Sequence, residues 1–278
     1  MISPLTMRLI RLAIEEDVGL GDITSRLVLP TGLSGEAIVI AKDSGILAGM
    51  EFFKAVYAEI DPHLRVSSEK RDGEGIRCGE VVCSLRGSVE SILAGERIGL
   101  NFLQRLSGIA TLTARFVKEV KGFPVKITDT RKTIPGWREM EKYAVRVGGG
   151  YNHRLGLYDS VLIKDNHIAA AGSITAAVKA AREKAPHTMK IEVEVETLEG
   201  VEEALRAHVD IIMLDNMPIE MIRQAVNMID GRALVEVSGG ISLKNVRQIA
   251  EIGVDIISIG ALTHSATPID MSMKLVSG

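Results

Sequence analysis

The chain has little of what would tie it to nucleic acid, to a membrane or to a disulfide scaffold. Cysteine occurs only at Cys78 and Cys83. Two are too few for a disulfide framework, and the second pair of ligands that a structural zinc site needs is missing. Aromatic residues are 4% of the chain, which leaves few platforms for stacking bases. A net charge of -3 disfavours binding to a phosphate backbone. No apolar run approaches the ~20 residues that span a bilayer. No secretory leader is recognisable, so a reducing cytoplasm is the expected compartment. No G-x-x-x-x-G-K-[ST] sequence occurs, so ATP hydrolysis has no support.

What is present suits a globular enzyme. The chain has 278 residues, 46% apolar and 25% charged, enough to bury a core without staples. Up to about residue 104 the pattern is mixed. Leu5, Leu9, Leu12 and Ala13 mark an amphipathic helix, Met50–Ile60 a second, and 36–41 and 81–85 short strands. A long helical pattern follows from Glu90, breaks near Gly108 and resumes to Val120. From Val125 a regular beat sets in. Strands are expected at 125–128, 160–163, 190–195, 211–214, 234–237 and 256–259, with helical stretches between most of them. That alternation means a parallel sheet with right-handed crossovers, closed into a barrel or left open and doubly wound.

Polar residues gather where these strands end, and in a parallel barrel all carboxyl ends share one mouth. Between Ile127 and His167, seven lysines and arginines stand against five acids. The excess is modest, so position matters more than number. Arg131, Lys132, Arg154 and Lys164, with His153, sit at strand ends or after Gly148-Gly149-Gly150. They suit a pocket for a small anion, Arg131 through its planar fork. The glycines give that loop freedom to fold over a ligand. His153 is open between a ligand and a structural role. Arg138, Lys142 and Arg146 belong to a helix and are expected in solvent. Ser238-Gly239-Gly240 precedes a helix expected near Ser242, and Gly260 precedes His264. Such late glycine loops are either tight turns or a phosphate cradle of bare backbone N–H groups. Glu192, Glu194 and Glu196 alternate along one strand and face one side. Glu194 and Asp215, on neighbouring strand ends, are hard oxygen ligands that suit Mg²⁺ rather than zinc.

These stretches resemble the quinolinate phosphoribosyltransferase family, the carboxylating nicotinate-nucleotide pyrophosphorylases. The resemblance runs through Glu16-Asp17-Val18-Gly19, Arg105-Leu106-Ser107-Gly108, Asp129-Thr130-Arg131-Lys132-Thr133, Asn152-His153-Arg154 and Leu162-Ile163-Lys164-Asp165-Asn166-His167. It continues in Glu192-Val193-Glu194-Val195, Leu214-Asp215-Asn216, Ser238-Gly239-Gly240 and Gly260-Ala261-Leu262-Thr263-His264. It implies an α/β protein: an N-terminal α/β sandwich domain over 1–104 and an incomplete parallel α/β barrel over 105–265. The tail 266–278 would pack back on the first domain. It implies transfer of phosphoribosyl from phosphoribosyl diphosphate to quinolinate with decarboxylation, giving nicotinate mononucleotide for NAD biosynthesis. It further implies Mg²⁺ as cofactor and a homodimer with shared active sites, Arg105 being lent to the partner. Arg105, Arg131, His153, Arg154 and Lys164 would hold quinolinate. Lys132 would hold diphosphate. Glu194 and Asp215 would serve Mg²⁺ and the ribose, and Ser238, Gly239, Gly240, Gly260 and His264 would cradle the 5′-phosphate. A molybdenum-associated relative of the same fold and a non-catalytic anion-binding module are the alternatives.

Overall fold

A computed structural model of the chain describes residues 2–277. It divides into two compact units, one running to Ala114 and adding Thr133–Gly149 and the stretch from Leu262, the other comprising Arg115–Lys132 and Gly150–Ala261. Numbered along the chain, the strands are β1 (Ser34–Ala41), β2 (Gly45–Ile46), β3 (Arg65–Ser68), β4 (Gly75–Ile76), β5 (Val81–Ser88), β6 (Lys126–Thr128), β7 (Val161–Ile163), β8 (Ile191–Val195), β9 (Ile211–Asp215), β10 (Leu234–Ser238), β11 (Ile256–Ser258) and β12 (Met271–Ser277).

The first unit is built on a four-stranded antiparallel sheet in the order β12-β1-β5-β3. The C-terminal strand β12 pairs antiparallel with β1, which fastens the tail to the sheet. Alternate residues of β1 and β5, among them Val39, Ala41, Cys83 and Leu85, are buried against Phe53 and Tyr57 of helix Met50–Ile60 and Ile92, Leu100 and Leu103 of helix Val89–Glu119. Each such fully buried large apolar side chain contributes about 1.5–3 kcal/mol relative to exposure. The expected break at Gly108 does not occur: the helix is continuous from Val89 to Glu119. Gly108 serves packing instead, because a Cβ there would meet the Thr267 carbonyl oxygen at 2.2 Å.

The second unit holds all six expected strands in one parallel sheet, ordered β6-β11-β10-β9-β8-β7. Its edges β6 and β7 are not hydrogen-bonded to each other, which makes the barrel incomplete; the free side of β6 takes a single bridge from Tyr151. One face carries Val193, Val195, Ile212, Leu214, Val235 and Val237, all buried. Helices Ile174–Lys184, Leu198–Arg206 and Ile219–Ile229 pack on these strands, as parallel sheets require. The opposite face carries polar residues toward the strand ends. Register aligns Thr128, Ser258, Ser238 and Asp215 in one row, and Glu236, Met213 and Glu194 in the row below. No helix among the described residues is long and apolar enough to cross a membrane.

Candidate functional site

The polar row ends meet loops that β6 and β7 organise. Asp129, just past β6, is fully buried. Its carboxylate accepts hydrogen bonds from Asn152 Nδ2 at 2.6 Å and from the His153 amide at 2.9 Å. One buried acid thus shapes the Asn152-His153-Arg154 turn. Arg154 Nη1 donates to the Ser160 carbonyl at 3.2 Å, and the Leu155 amide to Asp159 at 2.8 Å, closing the loop on itself. Gly148 is buried, and a Cβ there would meet the Ala110 carbonyl oxygen at 2.4 Å and Thr113 Cβ at 2.7 Å.

Arg131 and Arg154 are close enough to repel. Burial first, and then the Arg131 charge, press the Arg154 guanidinium toward a lower pKa, while Glu192, Asp159 and Glu194 oppose the shift. Arg131 Nε is buried and has no hydrogen-bond partner. Two half-buried cations with an unsatisfied donor form an environment that a bound anion stabilises. Lys132 is exposed, and its amide donates to Thr130 Oγ1 at 3.0 Å. Lys164, at the end of β7, pairs through Nζ with Glu194 Oε2.

Asp215 ends β9 and accepts from Asn216 Nδ2 at 2.7 Å. Glu194 is registered with Met213 and Asp215 with Ser238, so the two acids are staggered by one pleat. Glu196 lies beyond β8 and is exposed. After β10, Gly239 has φ +88°, and a Cβ there would meet Asn216 Oδ1 at 2.1 Å. The Asn216 amide donates to the Ser238 carbonyl at 2.9 Å, so the ends of β9 and β10 are locked together at their glycine. The helix expected from Ser242 starts at Val246. The residues before it form a turn in which Asn245 accepts from the Ser242 amide and donates to the Gly240 carbonyl.

Below this mouth lies a group that the sequence did not reveal. Glu192 and Glu236 are 4% and 2% exposed. His153 Nε2 stands 3.3 Å from Glu192 Oε2 and 3.4 Å from Glu236 Oε1. The second contact has ion-pair distance without hydrogen-bond alignment, since Glu236 Oε1 makes no hydrogen bond, nor does Glu192 Oε1. Burial raises the pKa of Glu192 first, the His153 hydrogen bond lowers it, and the Glu236 charge raises it further. The signal for Glu236 was a lone acid inside the apolar strand Leu234–Ser238, in phase with Ser238.

Arg105 and His264 belong to the first unit. Arg105 donates to Glu141 Oε1 at 2.8 Å and to the Thr263 carbonyl. Glu141 is 0% exposed; burial raises its pKa, with Arg105 and the Ile134 amide acting against that. His264 is exposed, with Nδ1 2.6 Å from Ser265 Oγ. Of the helix cations expected in solvent, only Arg146 is exposed. Lys142 is 0% exposed, and Arg138 donates to Thr133 Oγ1 at 3.0 Å. Their helix, Arg138–Val147, turns one face into the core through Met140, Glu141, Ala144 and Val145. A groove of about 370 Å³ lined by Thr175, Val178, Lys179, Arg182, Glu183 and Ala207 lies among the outer helices.

A family model described as the quinolinate phosphoribosyl transferase C-terminal domain matches residues 109–274, and its N-terminal counterpart matches 22–107. The chain is 47% identical over 260 residues to a probable carboxylating nicotinate-nucleotide pyrophosphorylase of Bacillus subtilis, covering 94% of this chain and 90% of that one. It is 42% identical over 285 residues to a chloroplastic carboxylating nicotinate-nucleotide pyrophosphorylase of Arabidopsis thaliana, with 96% and 81% coverage. The crystal structure of NadC from Streptococcus pyogenes superposes with a TM-score of 0.95 at 42% identity, covering 100% of this chain and 99% of that one.

Proposed function

The chain belongs to the quinolinate phosphoribosyltransferase family, and we propose that the carboxyl ends of β6 to β11 carry out its chemistry. The enzyme joins quinolinate to phosphoribosyl diphosphate with loss of CO2 and diphosphate, giving nicotinate mononucleotide in NAD biosynthesis. The observation that carries the substrate subsite is the Arg131–Arg154 pair: two mutually repelling, half-buried forks, one with an unpartnered donor. A pyridine bearing two adjacent carboxylates relieves both defects at once.

Arg131, Arg154 and Lys164 hold the carboxylates and turn the ring nitrogen toward the ribose. His153, counted among the ligands by resemblance, is assigned instead to the frame behind them, because its nitrogens face protein atoms. Lys132 neutralises charge on the departing diphosphate. Ser238, Gly239, Gly240 and Gly260 offer backbone N–H groups to the 5′-phosphate, a role that the resemblance extends to His264. As the C1–O bond breaks, positive charge grows at C1, and Glu194 and Asp215 stabilise it electrostatically. The nitrogen lone pair then forms the C–N bond. With that nitrogen quaternised, the electrons of the C2–carboxylate bond pass into the ring, CO2 leaves, and C2 takes up a proton. Holding both reactants in line can supply about 7–11 kcal/mol of the barrier.

Glu194 and Asp215, hard carboxylate donors on neighbouring strand ends, would hold Mg²⁺. Mg²⁺ supplies charge neutralisation at the diphosphate when bound. We further infer a homodimer in which Arg105 is lent to the partner's site. Apolar side chains with no cover support self-association: Leu20 is 97% exposed, and Ile23, Leu27 and Val28 are exposed beside it in sequence.

Arg131→Ala tests the subsite by calorimetric titration. Quinolinate affinity falls about tenfold or more, as expected for loss of a charge-assisted contact worth about 1.5–3 kcal/mol, while phosphoribosyl diphosphate binds nearly as before. Equal losses for both ligands would overturn the assignment.

A further inference from the structure

The Glu192–His153–Glu236 group has three chemical readings. Two carboxylates around an imidazole can hold a divalent metal, stabilise an imidazolium, or accept from a neutral ring. All three ligand atoms lie within 4.8 Å of one another, and the N···O separations of 3.3 and 3.4 Å suit any of them. The other ring nitrogen decides. His153 Nδ1 accepts the Arg154 amide at 2.8 Å, so its lone pair points at that N–H and no proton sits there. A metal on Nε2 would take the Nε2 lone pair and leave the ring proton on Nδ1, against the amide. An imidazolium would carry a proton on both nitrogens and meet the same conflict. Only the neutral ring protonated at Nε2 satisfies both sides.

Burial opposes a charge on the ring and the two carboxylates favour one, but a second ring proton would have to sit on Nδ1, at which the Arg154 N–H already points from 2.8 Å. Glu192 and Glu236 are on β8 and β10, rigid strands of the sheet, while His153 and Arg154 lie on a loop.

We propose that Glu192 and Glu236 are positioning residues that hold His153 as the neutral Nε2–H tautomer, whose Nδ1 fixes the Arg154 amide and so aims the Arg154 guanidinium. This rests on Arg154 being an anchor for a quinolinate carboxylate. The device connects the sheet interior to a ligand-binding loop through one imidazole, with no contact between the glutamates and the substrate.

Nitrogen NMR of the ¹⁵N-histidine-labelled protein without ligand tests the tautomer directly. His153 shows one pyrrole-type and one pyridine-type nitrogen, unchanged by a chelator. Two pyrrole-type nitrogens, or a signal that shifts when metal is stripped, overturns the proposal. Glu192→Leu raises KM for quinolinate about tenfold or more, in line with the up to ~10²-fold cost of misplacing a positioning contact, with KM for phosphoribosyl diphosphate within about twofold. Glu192→Gln, whose amide oxygen can still accept from Nε2–H, restores the tautomer signal and most of the quinolinate KM. A Gln variant as impaired as the Leu variant overturns the proposal, and so does a Leu variant with normal quinolinate KM. Arg154→Ala separates the two claims: normal quinolinate KM there removes the anchor reading while leaving the NMR result standing.

Discussion

Arg105 shows how one side chain ties stability to the expected chemistry. Its guanidinium is the hydrogen-bonded counter-charge of Glu141, a carboxylate with no exposure. Removing one member of a buried pair strands the other, typically at about 3–5 kcal/mol. Arg105→Ala therefore lowers the thermal midpoint, and Arg105→Ala with Glu141→Gln recovers part of the loss. The sign with pH follows from Glu141. Burial raises its folded pKa, and loss of Arg105 raises it further, so the stranded group is cheapest when protonated. The deficit of Arg105→Ala is thus smaller in mildly acidic buffer than in alkaline buffer. Melting curves with a deficit independent of pH, or larger in acid, would contradict this. Glu141 itself gave no sequence signal of burial, because its helix looks like a run of alternating surface charges.

At the level of elements, the mouth of the barrel depends on how strand ends lock. Gly239 combines φ +88° with a Cβ position 2.1 Å from Asn216 Oδ1. Gly239→Ala costs about 1–3 kcal/mol of backbone strain and pushes Asn216 from Asp215. Phosphoribosyl diphosphate binding weakens in that variant while quinolinate binding holds; a variant with unchanged stability and ligand binding would refute the lock. All six strands of this sheet were readable from period and spacing, because buried parallel strands are short apolar runs between helices. The strand-end positions of Lys164, Glu194 and Asp215 were readable for the same reason. Glu236 was not, since one acid within an apolar run looks like noise until register aligns it with Glu194. Lys142 was misread as solvated because charge alone does not say which face of a helix is covered. Gly108 was misread as a helix break because its reason for being glycine, the close approach of the Thr267 carbonyl, is 159 positions away in sequence.

For the whole molecule, the proposed dimer and the proposed pair of substrates are the claims to test. The exposed Leu20, Ile23, Leu27 and Val28 are a costly surface in water. If they cover a partner copy, Leu27→Glu shifts sedimentation toward a smaller species and lowers activity together; a monodisperse monomer in the parent protein would contradict the dimer. The parallel sheet brings Glu194, Asp215 and Ser238 to neighbouring strand ends, with Lys164 paired to Glu194, and the proposed function places a dicarboxylate and a phosphorylated sugar at that mouth. The most direct measurement supplies the purified protein with phosphoribosyl diphosphate, Mg²⁺ and either quinolinate or nicotinate, and follows nicotinate mononucleotide and CO2. Quinolinate gives both products in equal amounts and nicotinate gives none. Product from nicotinate, or mononucleotide without matching CO2, would contradict the account.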